Sequence, residues 1–69
     1  MTIEKDIGKR IVKIRKQKGL TQEDLAGEAG IDRSYLSEIE SGYKNISVQT
    51  LAKIAEGLKV KMSILLGEK

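Results

Sequence analysis

The sequence predicts an all-α domain of five short helices. Three observations carry that expectation. Apolar residues recur at helical spacing almost throughout, and no stretch alternates as a half-buried strand does. Glycines and small polar residues stand where this pattern breaks, as helix stops and caps. The 69 residues suffice for one small domain, residues 1–69, with no linker, repeat or low-complexity stretch.

The elements follow in order. Ile3, Ile7, Ile11 and Ile14 make the stripe of a first helix that Gly19 ends. Thr21 reads as an N-cap, with Asp24 completing a capping box. The second helix, Gln22 to Ala29, faces Leu25, Ala26 and Ala29 inward, and Gly30 is its left-handed stop. Asp32 caps a third helix that stops near Gly42. Ser47 caps a fourth, whose stripe is Val48, Leu51, Ala52, Ala55 and Leu58. A last short helix covers roughly residues 61–66.

Composition narrows the function. There is no Cys and no His, so disulfides and the usual zinc ligands are excluded. A domain this small buries only about 60% of its unfolded surface, and pairing with a second copy is the simplest way to add more. No apolar run approaches the ~18 residues that span a membrane, and nothing resembles a signal peptide, so a soluble intracellular protein is expected. Thirteen Lys and Arg oppose ten Asp and Glu, a net charge of +3. Residues 5 to 18 carry seven positive charges and one negative, Asp6, which suits either a solvated helix face or a flank that holds phosphates. Residues 19 to 43 carry Glu23, Asp24, Glu28, Asp32, Glu38 and Glu40 against one base, Arg33.

The second and third helices are joined by about three residues, which forces a steep crossing. Ala26 is small where such helices touch, Gly30 permits the sharp turn, Ile31 plugs the corner, and Leu36 and Ile39 pack the third helix back. Together these make a helix-turn-helix signal from Gln22 to Ser41. A helical pair without DNA contact is the bland alternative. On a wheel, Arg33, Ser34, Ser37, Glu38 and Ser41 share the arc opposite Leu36 and Ile39. Arg33 and Ser34 occupy the first turn, the end that enters a major groove in this motif. Arginine can donate two parallel bonds to guanine, serine serves any base or a phosphate, and glutamate accepts from cytosine.

The stretch "GLTQEDLAGEAGIDRSYLSEIESG" followed by "TLAKIAEGL" resembles the phage-repressor (Xre-type) helix-turn-helix family over roughly residues 7 to 66. "DRSYLSEIE" with "KNIS" is most similar to the controller proteins of restriction–modification systems. The resemblance implies a five-helix, lambda-repressor-like DNA-binding domain. It also implies a homodimeric transcription factor on a near-palindromic operator, cytoplasmic, bacterial or phage-encoded, and nucleoid-associated when bound. Arg33, Ser34, Ser37 and Glu38 then fall on base-reading positions. Gln22, Tyr35, Tyr43, Lys44 and Asn45 fall near the DNA backbone, and Gln22 on a position that also braces the recognition helix; for Tyr35, a border core residue is an equal reading. Arg15 and Glu40 match a structural ion pair tying the first helix to the third. Ile64 replaces a residue that is often charged in the family and points away from Met62, Leu65 and Leu66 on the wheel, so it is assigned to a two-fold interface, together with Val60 and Leu65 nearby.

Departures from the family are instructive. Ile46 stands where many relatives have proline. Gly27 lies within a helix, at a cost of about 1 kcal/mol against alanine. Lys61 replaces a capping serine, so the last helix is expected to fray. The expected partners are double-stranded DNA and a second copy. No membrane, cofactor, metal or small-molecule ligand is expected. A protein–protein module of antitoxin or anti-repressor type is the rival reading, favoured by the acidic residues from Glu23 to Glu40. An enzyme is disfavoured: Glu23 and Asp24 point to different faces, and no glycine-rich phosphate loop follows a strand.

Overall fold

The structure is a computed structural model and describes residues 3–67. The helices are α1 (Ile3–Gln17), α2 (Gln22–Ala29), α3 (Arg33–Ser41), α4 (Val48–Leu58) and α5 (Met62–Leu65). Among the described residues there is no strand, and no helix is long and apolar enough to cross a membrane.

The starts and stops are mostly local chemistry. At α2, the Asp24 N–H donates to Thr21 Oγ1 at 3.0 Å and the Thr21 N–H donates back to Asp24 Oδ2 at 2.9 Å. This reciprocal pair satisfies two N–H groups that a helix start leaves without partners. At α4, the Thr50 N–H donates to Ser47 Oγ at 3.1 Å. Asp32 occupies the N-cap position of α3, but its side chain makes no capping bond. Four helices end on a left-handed residue, and the residue after it donates its N–H five positions back. Leu20 thus bonds Arg15, Ile31 bonds Ala26, Tyr43 bonds Glu38 and Val60 bonds Ala55. Three of those stops are glycine; the fourth is Lys59, at φ 59°.

The core gathers one side of each helix. Ile7 and Ile11 of α1 meet Leu25, Ala26 and Ala29 of α2, Leu36 and Ile39 of α3, Leu51, Ile54, Ala55 and Leu58 of α4, and Leu65 of α5. Full burial of each large aliphatic chain stabilises by about 1.5–3 kcal/mol. Helix α2 packs on α3 and α4, and α1 packs on α3 and α5. The α1–α3 contact is unusually close. A Cβ built on Gly8 would lie 2.6 Å from the Glu40 carbonyl oxygen and 2.7 Å from that of Ile39. Only a residue without a side chain lets these backbones meet.

The structure corrects several core assignments. Ile3 is 72% exposed, so the α1 stripe starts at Ile7. Val48 is 70% exposed and Ala52 is also outside, whereas Ile54, left out of the expected stripe, is fully buried. On α5, Leu65 is fully buried in the chain's own core, whereas Leu66, on the same side of the expected wheel, is 46% exposed. Leu65 therefore offers no surface to a second copy and leaves the interface set. Lys61 makes no capping bond at the start of α5. The other end of that helix is held: Arg10 Nη1 donates to the Leu65 carbonyl at 3.4 Å, placing a cation where the helix dipole is negative.

Candidate nucleic-acid interface

Helix α3 presents its outer face because Leu36 and Ile39 anchor the opposite one, with exposures of 0% and 2%. Arg33, Ser34 and Glu38 are exposed, and Ser37 is half-buried beside them. These four expected base-reading residues thus lie on one surface of one helix. Ser41 is exposed too, but its hydroxyl folds back to donate to the Glu38 carbonyl at 2.9 Å. Tyr35 is half-buried and packs against the core, as a border residue. Tyr43, Lys44 and Asn45 are exposed in the loop after α3. Lys44 Nζ lies 3.8 Å from Glu38 Oε2, with both side chains about half exposed. Such a pair is worth little in water and opens readily, so both groups remain available to a ligand.

Behind that face runs a chain of polar contacts. Arg15 is buried to 9% exposure and its Nε donates to Glu40 Oε2 at 2.8 Å. Its Nη2 donates to Glu40 Oε1 at 3.2 Å and its Nη1 to the Leu20 carbonyl at 2.8 Å. The guanidinium therefore fixes α1 to α3 and to the turn before α2. Breaking one side would strand a poorly hydrated charge, at a cost of about 3–5 kcal/mol. Gln22 Nε2 then donates to Glu40 Oε1 at 2.9 Å. Finally, Arg33 Nη1 donates to Gln22 Oε1 at 3.4 Å. The family resemblance implies the pair of Arg15 with Glu40; it does not name Glu40 as the partner of Gln22, and no local period shows either contact, since the partners lie 25 and 18 positions apart on different helices.

Gln22 and Arg33 also line an open groove of about 360 Å³ with Arg15, Leu20, Thr21 and Glu23. It opens at the start of α2, where the N–H groups of Gln22 and Glu23 point out of the helix end. That end carries partial positive charge and suits a phosphate oxygen. Glu23 opposes an anion there, while the Arg33 and Arg15 guanidinium groups favour one. Asp24 sits beside the groove with its carboxyl held below the usual 3.8, first by the Thr21 N–H and then by the Thr21 hydroxyl.

On the far side, Ile64 is 40% exposed and lines a shallow groove of about 260 Å³ with Arg10, Lys13, Ile14 and Gln17. Val60 is half-buried against the core. Leu66, absent from the expected interface set, is exposed as well, at 46%. A helix of four residues makes barely one turn, so its period in the sequence cannot separate Leu65 from Leu66.

Residues 11–65 match the family model described as helix-turn-helix. The chain is 44% identical over 62 residues to the immunity repressor protein of Bacillus phage phi105, covering 90% of this chain and 43% of the repressor. It is 40% identical over 62 residues to control protein C.MunI of a Mycoplasma species, covering 88% and 84%. A solved structure, the restriction-modification controller protein C.Esp1396I as a tetramer in complex with its natural 35-base-pair operator, superposes with a TM-score of 0.88 at 36% identity. The match covers 97% of this chain and 88% of that one. The chain thus spans less than half of the phage repressor but most of each controller. It belongs to the helix-turn-helix family of the phage-repressor (Xre) type.

Proposed function

We propose that this chain is a sequence-specific DNA-binding transcriptional regulator that acts as a homodimer on a near-palindromic operator, as the controller of a restriction–modification operon. The observation that carries the reading is the geometry of α3. Its outer face begins with Arg33, the single base between residues 19 and 43, while its inner face is locked by Leu36 and Ile39. A helix so anchored can enter a major groove by its first turn. Arg33 and Ser34 then choose the sequence, with Ser37 and Glu38 reading beside them. Gln22, Lys44, Asn45 and Tyr43 hold the backbone and carry no sequence information themselves. The tetramer of C.Esp1396I on its operator supports both DNA as ligand and assembly of copies.

The surface proposed for a second copy is Ile64, bordered by Val60. Two copies joined there in a two-fold dimer place their α3 helices on one face of the duplex, about 34 Å apart. The acidic residues of α2 repel unselected phosphates, which makes the bond from Arg33 to guanine more decisive.

Selection of bound duplexes from a random library tests the reading. The expected product is one motif with two-fold symmetry, bound at micromolar or tighter affinity by protein that sediments as a dimer. No enrichment of any duplex would refute it in favour of the protein–protein module.

A further inference from the structure

We infer that Glu40, the buried partner of Arg15, also governs base discrimination, by fixing which end of the Gln22 side-chain amide faces Arg33. The inference rests on the DNA-reading role proposed for Arg33.

The argument is one of donors and acceptors. An ionised carboxylate only accepts, and an arginine only donates. Glu40 Oε1 receives the Gln22 Nε2 at 2.9 Å, so the amide nitrogen must turn toward Glu40. The amide oxygen is then left facing Arg33, whose Nη1 donates to it at 3.4 Å. Reversing the amide would set an NH₂ group against a guanidinium and a carbonyl against a carboxylate. Both contacts would turn repulsive. Glu40 thus selects one of two otherwise similar amide orientations, and through it holds Arg33 extended from the first turn of α3. Glu40 is itself locked by two bonds from Arg15, with its side chain only 5% exposed. Arg33 is exposed and in the free protein has this acceptor to limit its rotamers. Glu40 is a positioning residue here, touching no base.

The chemistry predicts what a change of one atom does. In Glu40→Gln, Arg15 Nε, the nearer of its two donors at 2.8 Å against 3.2 Å for Nη2, keeps the new amide's oxygen at the Oε2 position, so the new NH₂ takes the Oε1 position and faces Gln22. Gln22 must reverse to accept it, and Arg33 meets a donor in place of an acceptor. The double variant Gln22→Glu with Glu40→Gln repairs this. The carboxylate at position 22 accepts from both the amide at position 40 and Arg33. It does not restore the carboxylate that Arg15 has lost.

The test compares affinities for a library-selected duplex and for the same duplex changed at the base pair where Arg33→Ala loses selectivity. Thermal unfolding is measured in parallel. In Glu40→Gln the ratio of the two affinities falls by about fivefold or more. In the swap the ratio recovers, although thermal stability stays low and affinity for both duplexes drops because the negative charge has moved from buried position 40 to position 22, where it faces the phosphates. A purely structural Glu40 gives a ratio that follows stability and stays low in the swap; that result overturns the inference. Should Glu40→Gln fail to fold, Gln22→Leu leaves the Arg15–Glu40 pair intact and removes the acceptor for Arg33. An unchanged ratio in that variant overturns the inference equally. Wild-type protein that binds no duplex overturns the DNA-reading role and the inference together. Wild-type discrimination retained in Glu40→Gln overturns the inference alone.

Discussion

Gly8→Ala and Gly27→Ala are the same chemical change in two helix interiors, and the structure assigns them opposite signs. Alanine in place of glycine favours a helix by about 1 kcal/mol. At Gly27 a new Cβ meets nothing within 4 Å, so nothing offsets that gain and stability should rise by about 1 kcal/mol. At Gly8 the new atom would stand 2.6 Å from the Glu40 carbonyl oxygen, where even a close carbon–oxygen contact needs about 3.3 Å. Helices α1 and α3 must therefore part by several tenths of an ångström. The obstructing atoms are backbone and cannot rotate away. Overpacking of this kind costs about 1–3 kcal/mol, which exceeds the helix gain and leaves a net loss of up to about 2 kcal/mol. Urea unfolding at one fixed protein concentration measures both, because self-association makes the midpoint concentration-dependent. With a slope near the low end of the usual range, about 1 kcal/mol per molar, the midpoints should move about 1 M up for Gly27→Ala and up to about 2 M down for Gly8→Ala. Shifts of the same sign in the two variants would refute the reasoning from packing.

Arg33→Ala should lose about 1–3 kcal/mol of discrimination between the selected duplex and random DNA, read by competition gel shift; equal loss on both would assign Arg33 to the phosphates. Ile64→Glu should move the sedimentation coefficient from dimer to monomer at micromolar concentration without lowering monomer stability, since the side chain is 40% exposed. Lys59→Gly should stabilise by about 0.5–1 kcal/mol in thermal unfolding, because φ 59° suits a residue without Cβ. Asp24→Asn should flatten the acid limb of the stability–pH curve. The folded carboxyl is depressed, so its contribution is complete above the usual value near 3.8 and is lost as pH falls through the lower folded value. An unchanged acid limb, followed by circular dichroism, would remove the capping box from the stability of α2.

Much of the candidate site was legible because it is written in local periods. Leu36 and Ile39 define one side of α3, and the arc opposite them necessarily holds Arg33, Ser34, Ser37 and Glu38. Gln22 was legible as the residue opening α2, but its hold on Glu40 was not. Nor was the burial of Leu65 and exposure of Leu66: a one-turn helix has too few residues to show a face.

By itself the sequence determined where helices begin, where most of them stop, and which side of α3 turns outward. Caps, glycine stops and 3.6-residue spacing act over a few residues and need no partner. Tertiary structure alone decided that Gly8 is a contact point, that Ile54 rather than Val48 enters the core, and that Leu65 is internal. Each of those outcomes depends on how closely a second helix, distant in the chain, approaches the first. That distance is set by the packing of the whole core, and no short window of residues contains it.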